Sequence, residues 1–404
     1  MGRLAAEPPE RGRTLLVLGA GPAQLGLLET ARAHGIWTAV CDRDPAAPGF
    51  AFADRRCIVS IDDESAIERL ASALPLDGVI AAGTDTPVAV AARIAEKLGL
   101  AHPLKPATAI LATNKLRQRE ALAEAGVPQP RWEVVGGNGT SGIPPPVVVK
   151  AADRSSRGGL SLVRRSAGLE RALTSAREVS RTGVVLVEEY VDGPEVTVAG
   201  FSAGGHFVPL AVTDRIAAED GLGVPLGHAW PSVYSETAVE VTRRAVEAIG
   251  IEEGPSTTRL RISRGGPEVI EVAARLGAGH ETELVELVTG VDLRALALAG
   301  ALGQPLAASE VAGRAPEGVG GAATHFLVAP PGRLEATEVP QAMSGVVSTR
   351  VYREPGYVFG PPARVADLAG AVLTVGATAE EALVRAAAAA ERIRLLTADA
   401  EAMV

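Results

Sequence analysis

Residues 254–283 read GPSTTRLRISRGGPEVIEVAARLGAGHETE and hold the side chains best suited to chemistry. Glu271 supplies a carboxylate and Arg275 a forked guanidinium, and Gly277-Ala278-Gly279-His280 follows as nearly bare backbone. Such a set suits phosphate and carboxylate groups, because a guanidinium grips either with two parallel bonds and a side-chain-poor loop leaves its amides free. A solvent-facing hairpin with ordinary surface charges has the same composition, so the reading depends on the rest of the chain. Lys150 closes the apolar run PVVVK, and Ser155, Ser156, Arg157, Gly158 and Gly159 come soon after it. Small residues there can fold their backbone over phosphates, or make a plain turn. Farther on, an apolar run ends in Glu188-Glu189-Tyr190-Val191, turns at Asp192-Gly193-Pro194 and resumes at Glu195. Carboxylates at a strand end can seat ribose hydroxyls and an adenine amine; two exposed strand-end acids are the plainer alternative.

Strands must carry most of these groups. The β-formers on either side of Arg264-Gly265-Gly266-Pro267 predict a hairpin of strands 257–263 and 268–273. Near the start, TLLVLGAG at 14–21 is a continuous apolar run into glycine, as in a buried parallel strand. A helix over 22–35 and a strand ending in Asp42 and Asp44 follow. The pattern imitates a dinucleotide fingerprint, but the glycines stand at 19, 21 and 26, with Gln24 where the third belongs. A Rossmann-like unit without the nicotinamide role is the better reading. Strands at 58–61 and 78–82 and a helix at 88–98 complete a first α/β domain. From Asn114 a helix runs to Gly126, where prolines stop it. A strand at Trp132–Val135, a Gly/Ser/Pro loop, the Lys150 strand and a helix at 167–179 come next.

With 404 residues and about 150 per domain, two or three domains are expected. A hydrophobic fraction of 47% with 22% charged residues is that of a globular enzyme. Aromatics at 3% and a net charge of −9 argue against base stacking and phosphate-backbone binding, so nucleic acid is excluded as a partner. No run approaches the roughly 20 apolar residues of a membrane span. The charged, proline-bearing start and only two cysteines, Cys41 and Cys57, point to a reducing cytoplasm with structural thiols.

Asn114-Lys115, PVVVK, the Ser/Gly loop, EEYVDGPE and the GP…IE…ARLG hairpin occur in the order and spacing of the ATP-grasp superfamily. Over nearly its whole length the chain resembles the carboxylate–amine ligases of the L-amino-acid ligase type. The resemblance implies mixed α/β and α+β architecture: a Rossmann-like pre-ATP-grasp domain (1–112), ATP-grasp subdomains A (113–185) and B (186–335), and a C-terminal subdomain (336–404) with a helix from Thr378. It assigns ATP phosphates to Lys115 and Lys150, and a flap over them to 155–159. Adenine falls to Glu188 and Val191, with Glu189 beside them, and ribose to Glu195. His228 matches a position near the acceptor, although a satisfied loop histidine fits as well. Arg275 would stabilise the transferring phosphoryl group and the acyl-phosphate, and the Gly277 and Gly279 amides would hold the substrate carboxylate. The implied reaction joins a small-molecule carboxylate to an amine through an acyl-phosphate, releasing ADP and phosphate, with magnesium on the nucleotide. A homodimer is the expected assembly.

The chain departs from this family at the metal. Active members have a glutamate at the position of Arg259, a glutamate and an asparagine where this chain has Glu271 and Ala273, and a histidine at the position of Thr257. Arginine has no acceptor and alanine no polar group, whereas magnesium demands oxygen. Glu271 alone could hold one ion weakly with ATP phosphates and water. Alternatively, Arg259 pairs with Glu271 and neutralises phosphate itself. Two readings follow: a ligase with an altered metal site, or a degenerate ATP-grasp protein that binds a ligand without ligating and supports a partner.

Overall fold

The computed structural model describes residues 12–398 apart from 138, 154–158, 218–223, 279, 314–317 and 363. Its first sheet is built from β1 (Thr14–Leu18), β2 (Trp37–Asp42), β3 (Arg55–Ile58) and β4 (Gly78–Ala81), all parallel in the order β3-β2-β1-β4. Helix α1 (Leu25–Ala33) connects β1 to β2, α2 (Glu64–Ser72) connects β3 to β4, and α3 (Thr86–Leu98) follows β4. Every residue of β1 is buried, which is why its sequence is unbroken TLLVL. The strand expected at 58–61 lies three residues earlier, because parallel pairing of Cys41 with Cys57 sets its register and leaves Ile58 exposed. The two thiols are buried and unbridged. Gln24 is also buried: its side chain packs against Gly19 and its amide donates to the Ala82 carbonyl. The glycine turn after β1 is therefore filled by the chain's own amide.

The second unit has α4 (Pro106–Thr113), α5 (Lys115–Glu124), β5 (Trp132–Val135), β6 (Val147–Ala151), β7 (Ser161–Val163), α6 (Leu169–Val179) and β8 (Val185–Glu189). Its antiparallel sheet has the order β5-β8-β6-β7. Asn114 caps α5 by accepting from the Arg117 amide at 3.1 Å, which fixes Lys115 in the first turn. The division at 185/186 falls at the start of β8, and the chain passes to the next sheet between Glu189 and Glu195.

That next sheet has eight strands. It takes β9 (Glu195–Ala203), β10 (His206–Ala217), β11 (Pro225–Trp230), then, after α7 (Ser235–Ile249), β12 (Gly254–Ser263) and β13 (Gly266–Ala273). Helices α8 (Glu281–Thr289), α9 (Leu293–Ala301) and α10 (Ala308–Val311) precede β14 (Gly321–Leu327). The C-terminal part adds β15 (Gly332–Glu338), β16 (Val346–Val351), β17 (Val358–Phe359), β18 (Gly370–Gly376), α11 (Ala379–Arg392) and β19 (Arg394–Ala398). The order is β13-β12-β9-β10-β11-β14-β18-β16, with β17-β15-β19 as a separate small sheet. The large sheet thus runs continuously across the 335/336 division.

The β12–β13 hairpin is longer than its β-formers suggest, starting at Gly254 and leaving only Arg264 and Gly265 as its turn. Pro267 is tolerated in it because β13 is the sheet's edge, where a missing N–H breaks no ladder on the outer side. One apolar core joins β1, the large sheet and helices α8 and α9 through Leu15, Phe201, Leu284, Leu298 and Leu373. A second core packs Leu260, Val269 and Val272 of the hairpin with Val88, Ala89 and Ala92 of α3, which ties the hairpin to the first domain. Among the described residues no helix is long and apolar enough to cross a membrane.

Candidate functional site

The floor of the site is a buried charge triad. Arg119, on α5 one turn after Lys115, donates from Nε to Glu188 Oε1 at 2.7 Å, and Lys150 Nζ lies 2.7 Å from Glu188 Oε2. The rest of the Arg119 guanidinium bonds the carbonyls of Val269 and Ile270 at 2.7 and 2.6 Å. One side chain therefore ties β8 to β13, and so the smaller sheet to the hairpin. Burial works against the charge on Glu188, yet Arg119 and Lys150 keep its carboxyl below the usual range. Burial also pulls Lys150 down to about 8, with Glu188 resisting the change. The adjacent glutamates are separated by strand alternation: Glu188 points inward, whereas Glu189 points to solvent 3.5 Å from Arg131.

Above this floor the hairpin brings Arg259 opposite Glu271 in register. Arg259 Nη2 donates to Glu271 Oε2, and Lys115 Nζ stands 3.9 Å from the other carboxylate oxygen. Burial opposes the charge on Glu271, but Arg259, Lys115, Lys150 and Arg275 together hold its carboxyl far below the ordinary carboxylate range. Arg275 is aimed by the first domain: its Nε donates to Asp85 at 2.6 Å, and Asp85 sits just before α3. The second carboxylate of the site, Glu195, is buried among three guanidiniums. Arg215 Nη1 lies 2.8 Å away, Arg261 Nη2 3.5 Å and Arg259 Nη1 3.7 Å. Arg261 also donates to the Val191 carbonyl at 3.2 Å and lies over the Tyr190 ring.

His228 is enclosed within β11 and does not line the cleft itself. Its Nδ1 is 3.3 Å from the Thr213 hydroxyl and its Nε2 3.5 Å from Glu281 Oε1. Burial, with Arg215 nearby, pushes it down to about 3, so it is neutral at pH 7. Burial raises the carboxyl of Glu281, with Arg275, Arg215 and Arg259 offsetting part of that rise. Its Oε2 is buried and has no hydrogen-bond partner among the described residues. Gly277 makes room for it: a Cβ at that position would lie 1.6 Å from Oε2. Gly159 packs against α6, where a Cβ would meet Val179 at 2.6 Å. Ser155, Ser156, Gly158 and Gly279 lie outside the described residues.

Lys115, Lys150, Glu188, Val191, Glu195, Glu271, Arg275 and Gly277 are thus gathered in one region, and Glu189 is not. The sequence reading missed Arg119, Asp85, Arg215 and Glu281. Arg119 had a signal, since a cation four residues after Lys115 shares its helix face. Asp85 and Arg215 come from distant elements and had none, whereas Glu281 stands in the same stretch, four residues after Gly277.

Whether these residues fit a protein-held metal is decided by their donors. Among the described residues no group of three His, Cys, Asp or Glu could hold an ion. Glu271 is already engaged by Arg259, and the Ala273 side chain offers no oxygen. The donor set does not fit a divalent cation.

Comparison with known proteins places this geometry. Residues 112–279 match the family model "ATP-grasp domain", and residues 325–398 match "L-amino acid ligase C-terminal domain 2". An uncharacterized protein of Sinorhizobium fredii is 28% identical over 281 residues, covering 62% of this chain and 55% of that protein. A D-alanine–D-alanine ligase of Pseudomonas entomophila is 27% identical over 206 residues, covering 47% of this chain and 63% of its own. The chain thus spans less than two thirds of the length of these relatives. The crystal structure of an L-amino acid ligase from Bacillus licheniformis superposes with a TM-score of 0.81 at 23% identity, covering 97% of this chain and all of that one (100%). The parallel first sheet, the antiparallel sheets and the matched segments agree: the chain carries an ATP-grasp domain over residues 112–279 and a C-terminal domain of the L-amino acid ligase kind over residues 325–398.

Proposed function

We propose that this protein is an ATP-dependent ligase that joins a small-molecule carboxylate to an amine through an acyl-phosphate. The observation that carries the reading is the set of four cations, Lys115, Lys150, Arg259 and Arg275, whose charges all act on the carboxylate of Glu271. Fixed cations gathered in this way are suited to a nucleoside triphosphate and to the charge spread during phosphoryl transfer.

Lys115 and Lys150 bind phosphate oxygens as point charges. Tyr190, Val191 and Glu195 form the edge for the nucleoside. The substrate carboxylate attacks the γ-phosphorus, the bond to the β-phosphate oxygen breaks, and ADP leaves. Arg275, oriented by Asp85, steadies the transferring group and then the acyl-phosphate. The amine nitrogen next attacks the carbonyl carbon, phosphate departs with the C–O bonding pair, and the amine proton passes to Glu281. Neutral His228 can direct its Nε2–H at Glu281 and hold that carboxylate in place. The backbone amide of Gly277 would receive the substrate carboxylate, a role that the sequence assigns to Gly279 as well.

A mixed amino-acid pool supplied with ATP tests the reading by ADP release and amide formation. The pairing of Arg259 with Glu271 favours a second reading, nucleotide binding without ligation. ATP binding with no ADP release from any pool would establish that one instead.

A further inference from the structure

Arg259 differs from the other charged groups of the cleft in being open to it. Its side chain is 37% exposed, against 18% for Glu271, 13% for Arg275 and 8% for Lys150 and for Glu195. It is anchored from behind by two carboxylates, Glu271 on β13 and Glu195 on β9, and β12 carries it between them. The hydrogen bond to Glu271 uses one of the five N–H groups of the guanidinium. A planar fork fixed on one side and open on the other is well matched to phosphate oxygens. The arrangement of a cation bridging two protein carboxylates to a cleft is the one a bound divalent ion would adopt. Here, no three His, Cys, Asp or Glu among the described residues come together to hold such an ion.

We propose that the Arg259 guanidinium takes the place of a protein-bound divalent cation, bridging Glu271 and Glu195 to the nucleotide phosphates. Nucleoside triphosphate then binds this protein with little dependence on magnesium. The inference rests on the reading that the cleft accepts ATP, and the experiment separates the two.

Calorimetric titration of the full chain with ATP is performed once in EDTA and once in excess magnesium. The expected result is two dissociation constants within about threefold of one another. A loss of affinity in EDTA of about tenfold or more overturns the proposal while leaving the ATP site intact. No binding in either buffer overturns the ATP reading itself. Two variants test the residue. Arg259→Glu adds a third carboxylate beside Glu271 and Glu195, so ATP should bind poorly in EDTA and recover with magnesium. Arg259→Met removes the charge without adding an oxygen, so binding should fall about tenfold or more in both buffers. Unchanged affinity in EDTA for a folded Arg259→Met protein would refute the role, even if Arg259→Glu failed to fold.

Discussion

Lys150 and Glu281 are the two residues whose protonation should be visible from outside. Lys150 must carry its proton to attract a phosphate, and burial has pulled it down to about 8. For a base, the charged form prevails below the pKa. ATP affinity should therefore be full below about 8 and weaken as the pH rises through it. Lys150→Arg keeps its charge at every accessible pH and should flatten the profile, provided the variant binds. A wild-type profile that stays level up to pH 10 would show that Lys150 makes no such contact. Glu281 is argued from its free oxygen. In Glu281→Gln the acyl-phosphate should still form, so hydroxylamine, an amine uncharged at neutral pH, should still trap it as a hydroxamate. Amide formation with an ordinary amine should fall about 10²-fold or more and lose the acid limb of its pH profile. Equal losses with both nucleophiles would make Glu281 merely structural.

At the scale of elements, the hairpin and the loop that follows it act as one device. Gln118 of α5 clips the C-terminal end of β13 through both atoms of its amide, donating to the Val272 carbonyl at 2.9 Å and accepting from the Val272 amide at 3.0 Å. Together with Arg119, and with the Val269 amide donating to the Pro128 carbonyl at 2.9 Å, this pins the outer side of an edge strand. The loop beyond β13 then turns on Gly277, whose missing side chain admits the Glu281 carboxylate. Gly277→Ala is expected to push Glu281 aside rather than unfold the chain, because the obstructing atoms belong to the far end of a flexible side chain. Ligase kcat should drop by about tenfold or more while the melting temperature moves little. A large fall in melting temperature would mean that the backbone, not the carboxylate, depends on the space.

Across the whole molecule, the first domain completes a site built mainly by the other two sheets. The Asp85–Arg275 bond spans 190 residues of sequence, and the Gly83 amide donates a hydrogen bond to the Leu276 carbonyl at 3.4 Å. These contacts rest on the common core of β1, the large sheet and helices α8 and α9. Asp85→Asn keeps a hydrogen-bond acceptor but removes the charge that holds the guanidinium. ADP release should slow by about tenfold while ATP affinity stays within about twofold, since Arg275 serves the transferring group more than the resting nucleotide. An equal loss in ATP affinity would place Arg275 among the nucleotide ligands instead.

Local features were legible in the residues because their causes are local. The apolar run of β1, the strand Trp132–Val135, the cap at Thr378 and the hairpin ending in Ala273 each follow from neighbours a few positions apart. The order of Lys115, Lys150, Glu195, Glu271 and Arg275 along the chain likewise pointed to the ATP-grasp fold. Which charges would meet was a different matter. Nothing near Glu188 says that it turns inward to Arg119 while Glu189 turns out, or that Asp85 finds Arg275 and His228 finds Glu281. Those choices depend on strand register and on which faces the sheets present to one another. A shift of one residue in a strand would exchange every inward charge for its outward neighbour. Spacing along the chain thus sufficed for the fold, and the packing of three sheets decided the ion pairs of the site.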